Sequence, residues 1–525
     1  MNRSKVFYPI FFAFAIVFGV WLGSVLNFSK KDSTNRSSHQ KLYRLLDILD
    51  KEYLEGVNTD SIVDLTVQSI LGTLDPHSTY ISASNYETTT EEIHGSFYGI
   101  GIRFYTYKDT IAITEVLPKG PAEKAGLKNG DRIVAADGLN LSEKNISRDS
   151  LIELLRGKAN SKVQLDIYRK TQKKSFKTEV QRTRVPIQSV TAAYKLGDDL
   201  TYLKIEQFTE DTYIEFEQAL NQLSKHTRGA LVLDLRDNAG GYVDQAKRIM
   251  EDLTPKGTLL YSTKDRTGKE KKFYAKRGKT QNFSRIYVLL NEKSASASEM
   301  IAGAIQDNDL GTIVGRRSFG KGLVQVERPL GDGSAVWITV AQYYTPTGRS
   351  IQRSYSSGKQ AYFAHANSRY LDRINEEDLD KIPDSLRFKT PKGKIVYGGG
   401  GVYPDVYVAD IEQQQEVSIK SFLRNGFMQF FAFEYIDTHA DLFKGYNKDQ
   451  FIEGYEVTDR LLQRFIDYAY LDLVDIRWEN YHEELSLMIK ANLARQLYGL
   501  DAYYKILSEK DPVIQKVIQL EEIAR

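Results

Sequence analysis

Ile286-Tyr-Val-Leu-Leu-Asn-Glu-Lys-Ser-Ala-Ser-Ala-Ser-Glu-Met300 runs from an apolar strand, Ile286–Leu290, through small residues into a helical run over Glu299–Asp307. A serine in this run stands at a helix N-terminus. Unpaired backbone N–H groups and the helix dipole there favour negative charge, which an acyl-transfer intermediate develops on its oxyanion. Ser296-Ala-Ser-Glu299 equally fits the Ser-x-x-Glu capping box, and a lone match of that kind is far more often a cap than a nucleophile. The residues alone leave Ser294, Ser296 and Ser298 open.

A second segment shifts that balance. Lys321 lies in Gly315-Arg-Arg-Ser-Phe-Gly-Lys-Gly322, a glycine-flanked turn between apolar strands at Gly311–Gly315 and Leu323–Val326. Glycines permit tight or left-handed backbone and close packing, so a lysine held there is open to desolvation. Desolvation lowers an amine from about 10.4 toward the roughly 7–8 that a general base for serine needs. Gln325 faces the same way on the following strand and is placed to orient the amine without adding charge, a triad with a different base. The same stretch, Gly315 to Lys321, also matches the start of a phosphate-binding loop, and nucleotide binding is an alternative reading. Gly322 replaces the Ser or Thr that holds magnesium, and the next residues alternate like a strand rather than opening a helix, so hydrolysis ranks above it.

Together, Ser-Ala-Ser-Ala-Ser-Glu299, Gln306-Asp307 and Phe319-Gly-Lys-Gly-Leu-Val-Gln325 resemble the C-terminal processing, or tail-specific, peptidases, which are serine peptidases with a Ser/Lys site and a PDZ domain. The resemblance implies that the middle serine, Ser296, is the nucleophile, Lys321 its base and Gln325 the support of Lys321. Their serine-to-lysine spacing is the family's. Tyr202-Leu-Lys-Ile-Glu-Gln-Phe208 and Gly229-Ala-Leu-Val-Leu-Asp-Leu-Arg-Asp-Asn-Ala-Gly-Gly241 look like the family's core strands. The glycine turn that ends the second puts backbone amides of Gly240 or Gly241, beside Ala297, forward as an oxyanion hole. A plain tight turn into a helix over Val243–Leu253 explains the same glycines. Downstream, Ala341-Gln-Tyr-Tyr-Thr-Pro-Thr-Gly-Arg-Ser-Ile351 and Gly401-Val-Tyr-Pro-Asp405 resemble closing strands, with a polar insertion at about 355–394.

Residues 93–185 form a separate module. Phe97-Tyr-Gly-Ile-Gly-Ile102, the run Gly120-Pro-Ala-Glu-Lys-Ala-Gly-Leu127 and Gly130-Asp131 resemble a PDZ domain. Such domains add an extended chain end as a strand, and a glycine-rich loop binds its carboxylate. That loop is Tyr98, Gly99, Ile100 and Gly101, with an apolar pocket near Ile100, Ile102 and the helix around Leu151–Leu155. A free C-terminus docked there positions the chain for cleavage upstream, and the resemblance adds that docking gates activity. A noncatalytic PDZ scaffold that binds exported chain ends is the alternative from another class.

The fold expected is a multidomain α/β chain. Residues 1–30 are a membrane anchor or signal segment and 31–92 an N-terminal helical region. The peptidase core is 186–410 and a helical C-terminal extension is 411–525. Val6 to Phe28 is uncharged over 23 residues, against about 20 for a span. With no cysteine for lipidation and no small-x-small cleavage site, an uncleaved single-pass anchor is expected. Arg3 and Lys5 precede the run whereas Lys30, Lys31, Arg36, Lys41 and Arg44 come after it, a count that argues against export. The resemblance implies the opposite: a bacterial inner-membrane protein with its catalytic domain on the periplasmic side.

Composition bounds the remainder. At 525 residues and 41% hydrophobic content the chain suffices for several cores, and a net charge of +2 points to no nucleic-acid partner. Without cysteine, disulfides, thiol catalysis and thiolate metal sites are excluded. No cofactor or metal is implied. Protein substrates with free C-termini are the expected partners, with an activator or adaptor and a homo-oligomer as further candidates. His77 in Leu74-Asp-Pro-His-Ser-Thr-Tyr80 tempts as a base but reads as structural. The basic run Lys264–Lys279 reads as a solvated hairpin. Leu461, Leu462, Phe465 and Ile466, then Ile489, Leu493 and Leu497, recur at helical spacing, and the aromatics Phe427 to Tyr435 read as core or a partner surface.

Overall fold

The computed structural model describes residues 13–18, 21, 33–107, 110–141, 146–197, 199–223, 229–278, 283–368, 379–409, 426–470 and 478–524. Most of Val6–Phe28 lies outside them, and no helix among the described residues is long and apolar enough to cross a membrane. Residues 1–73 and 74–525 are two compact units. The first holds helices α1 (Ser33–Glu52) and α2 (Thr59–Gly72). Asn58 caps α2 by accepting from the Ser61 N–H, which satisfies one of the donors a helix start leaves unpaired. The expected helical region therefore divides at Thr73, and its later part, from Leu74, belongs to the second unit.

That unit opens with β1 (Thr79–Ile81) and α3 (Ala83–His94). A two-stranded neck, β2 (Ser96–Gly99) against β8 (Thr183–Pro186), carries the PDZ-like module. Within it β3 (Ile102–Tyr107), β4 (Thr110–Val116), β5 (Asp131–Ala136), β6 (Lys162–Arg169) and β7 (Lys174–Gln181) lie side by side in that order, with helix α4 (Arg148–Leu155) between β5 and β6 in sequence. Val163, Leu165 and Ile167 alternate along β6 and bury one face of the sheet, as a period of two requires. Ile100, Leu151 and Leu155, expected to line an apolar pocket, are buried in this module's own core, and Ile102 sits at its partly buried margin.

The mainly parallel sheet runs β9 (Val190–Lys195), β10 (Leu200–Ile205), β11 (Ala230–Asp234), β14 (Ile286–Leu290), β15 (Thr312–Gly315) and β20 (Val406–Tyr407). All neighbours are parallel except β9 and β10. Helices α5 (Thr212–Leu223), α6 (Val243–Leu253) and α7 (Ala297–Asp307) cover one face through Phe216, Leu220, Ile249, Met250, Ile301 and Ile305. A parallel sheet must be covered on both faces. The second face is closed by Val513, Ile514 and Val517 of the chain's last helix. A second, antiparallel sheet joins β1, β17 (Ala335–Tyr344), β12 (Leu259–Asp265) and β13 (Glu270–Tyr274), with β16 (Leu323–Pro329) on the other side of β17. The basic hairpin is β12 and β13. The insertion contains helix α8 (Lys359–Ser368) and the hairpin β18 (Arg387–Lys389) with β19 (Ile395–Tyr397).

The C-terminal helices are α9 (Phe427–Thr438), α10 (Lys448–Gly454), α11 (Asp459–Tyr468), α12 (His482–Tyr498), α13 (Leu500–Ser508) and α14 (Pro512–Ile523). Leu461, Leu462, Phe465, Ile466, Ile489 and Leu493 form the core their spacing announced. The extension is not separate from the peptidase core and the PDZ-like module. Besides α14 on the sheet, the Ala193 N–H donates to Asp501 at 2.8 Å, and Glu521 binds Arg285 at 2.7 Å. At the other end Phe430 and Phe433 lie 4.8 and 5.0 Å from the Tyr105 ring of the PDZ-like module. Asp437 there takes Arg132 at 3.0 Å and Lys170 at 2.6 Å.

Candidate active site

Three loops meet at the N-terminus of α7. The first is the serine run. Ser294 and Ser298 are fully buried. The Ser294 hydroxyl donates to the Leu235 carbonyl at 2.8 Å, and that of Ser298 to the Asn238 carbonyl at 3.0 Å. They hold the loop to its neighbour. Ser296 is the partly exposed member of the three. It occupies the helix cap with φ 54° and ψ −113°, a left-handed setting that a non-glycine residue adopts at a cost of about 1–3 kcal/mol. Strain of that kind persists where the surroundings over-determine the backbone.

The second loop, Asn238-Ala-Gly-Gly241, supplies part of that determination. The Ala295 N–H donates to the Asn238 carbonyl at 2.9 Å. Gly240 has φ 104°, and a Cβ there would lie 2.7 Å from the Ser296 Cβ. Only glycine permits that approach. Its amide, expected as an oxyanion donor, gives its hydrogen to Asn238 Oδ1 at 2.8 Å. Gly240 therefore contributes space rather than a hydrogen bond, because the side chain that shapes the turn claims its N–H. Gly241 packs against the Phe208 carbonyl, where a Cβ would clash at 2.0 Å.

The third loop brings the lysine. Lys321 Nζ donates to Gln325 Oε1 at 2.8 Å, and Gln325 Nε2 donates to the His77 carbonyl at 2.5 Å. Burial lowers the Lys321 amine from its ordinary 10.5, against the carboxylates of Glu299 and Asp75, which pull it up. His77, expected to be structural, stands at this site and anchors Gln325 through its backbone. Its ring Nε2 lies 3.0 Å from the Tyr362 hydroxyl. Burial first, then the charges of Lys321 and Arg353, push the imidazole down to about 4.

The loop amides that a phosphate would need are already engaged. The N–H of Gly320 and that of Lys321 donate to Glu299, that of Gly322 to Gln352 Oε1, and that of Phe319 to the Ser294 carbonyl. With the amine also turned to Gln325, the arrangement does not support the phosphate-loop reading.

Two features had little or no sequence signal. Tyr362 sits on α8, within the polar insertion, and is buried between His77, Phe319 and the Arg353 guanidinium, whose carbon lies 4.0 Å from its ring centroid. Nothing in the insertion's composition marks it. Glu299 did carry a signal, since its carboxylate accepts from the Ser296 N–H at 2.9 Å, the return arm of the capping box. Its other bonds, to Ser318, Gly320 and Lys321, were not legible.

Residues 199–357 match peptidase family S41, residues 99–180 a PDZ domain, and residues 419–499 a family of unknown function. The carboxy-terminal processing protease CtpB of Bacillus subtilis is 32% identical over 331 residues, spanning 62% of this chain and 68% of that protein. The carboxy-terminal-processing protease of Bartonella bacilliformis is 33% identical over 346 residues, 64% of this chain and 79% of that protein. Among solved structures, the photosystem II D1 C-terminal processing protease is 27% identical, covers 71% of this chain and 90% of its own, and has a TM-score of 0.37.

Proposed function

The chain belongs to peptidase family S41 as a serine-type carboxy-terminal processing protease with a PDZ domain, and from that premise we propose that Ser296 and Lys321 are its nucleophile and general base. The observation that carries the reading is the setting of Lys321: a partly buried amine whose hydrogen bond goes to a neutral amide rather than a carboxylate, at 2.8 Å from Gln325 Oε1. Burial favours the uncharged form and Gln325 fixes its direction without stabilising the cation as a carboxylate does.

In this mechanism Ser296 Oγ attacks the scissile carbonyl as its proton passes to Lys321 Nζ. Negative charge then gathers on the carbonyl oxygen at the N-terminus of α7, where the Ala297 N–H and, from the facing turn, the Gly241 N–H are the donors we assign. Lys321 returns the proton to the leaving amine. Water, deprotonated by the same amine, attacks the ester carbonyl, the acyl–Oγ bond breaks to release the new carboxylic acid end, and Lys321 returns the proton to Ser296 Oγ.

Substrates on this reading are exported proteins whose free C-termini dock at Tyr98-Gly-Ile-Gly101 of the PDZ domain. The uncharged run Val6–Phe28 supports a single-pass inner-membrane anchor with the catalytic domain outside the cytoplasm. Protease accessibility in intact and lysed spheroplasts tests that location. For the activity, the full chain in detergent is given an unfolded substrate with an apolar C-terminus, as wild type and as Ser296→Ala. Cleavage by wild type alone is expected. Cleavage by both refutes the role of Ser296, and tail binding without cleavage by either favours a scaffold.

A further inference from the structure

We propose that Glu299 is a positioning residue that sets the distance between nucleophile and base by binding the backbone of both. The inference rests on the serine–lysine reading above. Glu299 is fully buried in the third position of α7. Its Oε2 accepts from the Ser296 N–H at 2.9 Å and from the Lys321 N–H at 2.8 Å. Its Oε1 accepts from the Ser318 hydroxyl and the Gly320 N–H, both at 2.6 Å. A helix cap requires only the first of these.

The arrangement has a chemical consequence. Ser296 and Lys321 sit on loops from different strands, β14 and β15, and one carboxylate oxygen receives the amide of each. Proton transfer from Oγ to Nζ needs a near-attack geometry, and a misplacement of about 1 Å costs about 100-fold in rate. The carboxylate also acts on the amine through its charge. The amine's hydrogen-bond partner is neutral Gln325 on β16, Asp75 on the turn before β1 is the other carboxylate that acts on it, and its charge is felt by His77, which also faces Arg353 beyond β17 and Lys359 and Tyr362 on α8. Glu299 and Asp75 are the carboxylates that raise the amine.

Glu299→Gln keeps the shape but turns one oxygen into an amide NH2 that faces two donors, and it removes the charge. The expected result is a kcat lower by about 100-fold per folded molecule, with KM changed by less than about threefold because tail docking is untouched. The acid limb of the pH profile moves to lower pH, since Lys321 loses an anion that holds its proton. Val517→Ala, a destabilising change on the far face of the sheet, keeps kcat per folded molecule. If Glu299→Gln fails to fold, Glu299→Asp decides: it keeps the acid limb in place and loses about 10-fold in kcat because the shorter arm cannot reach both amides. Wild-type kcat and an unmoved acid limb in Glu299→Gln, or full kcat in Glu299→Asp, overturns the proposal. Cleavage surviving in Ser296→Ala would instead overturn the dyad on which it rests.

Discussion

The corner around Ser296 and the junction between the PDZ domain and helix α9 are both held by charged side chains, yet they are built for opposite ends. At the corner Glu299 is 0% exposed and accepts all its bonds from the loops of Ser296 and Lys321. At the junction Arg132 and Asp437 are only 9% and 14% exposed, but their partner Lys170 is 45% exposed, and a cleft of about 910 Å³ opens between β3, β4 and helices α9 and α12. Exposed ion pairs contribute about 0–1 kcal/mol, whereas a buried carboxylate with its donors removed costs several. The carboxylate at the Ser296 corner is fully enclosed, whereas the junction keeps one open partner, Lys170, beside a cleft.

Gly240→Ala breaks the comparison hardest, from the catalytic side. The added methyl lies 2.7 Å from the Ser296 Cβ at a φ of 104°. We expect kcat to fall about 100-fold with tail-peptide affinity unchanged, measured by turnover and by fluorescence anisotropy. Asp437→Ala acts at the junction. It strips Arg132 and Lys170 of their shared anion and costs about 2 kcal/mol there. Cleavage of long tailed substrates should change, while turnover of a short peptide without a docking tail stays the same. Equal effects on both substrates would mean that the junction and the corner are one rigid body.

A smaller effect separates His77 from both. Its folded imidazole, pushed down to about 4, lies below the ordinary 6.5, so the unfolded chain takes the proton first as pH falls. The stability from neutral His77 is whole above about 6.5 and is lost as pH drops toward 4. His77→Phe has nothing to protonate and should lose less melting temperature between about pH 7 and about pH 4.

The corner was legible because its parts are local. A strand, small residues and a helix lie in consecutive order at 286–307, and α6 fell on Val243–Leu253 as its pattern implied. The choice of Ser296 among three serines rests on resemblance, and the structure is consistent with it, since Ser294 and Ser298 are tied to carbonyls. What escaped was long-range. Gln325 meets the His77 carbonyl across 248 positions and Tyr362 meets the His77 ring across 285. Helix α14 reads as part of an amphipathic extension, and only the bare second face of a parallel sheet explains why Val513, Ile514 and Val517 close the core. The Gly240 amide misled because a glycine's φ can be anticipated whereas the side chain that takes its N–H cannot.

The central claim is that a partly buried lysine, not the neighbouring histidine, is the base. The most direct test measures cleavage of a tailed unfolded substrate by Lys321→Ala and His77→Phe at neutral pH. The account predicts that Lys321→Ala loses activity by about 10³- to 10⁴-fold while His77→Phe keeps most of it, since His77 serves Gln325 through its backbone. Retained cleavage in Lys321→Ala with loss in His77→Phe would contradict it.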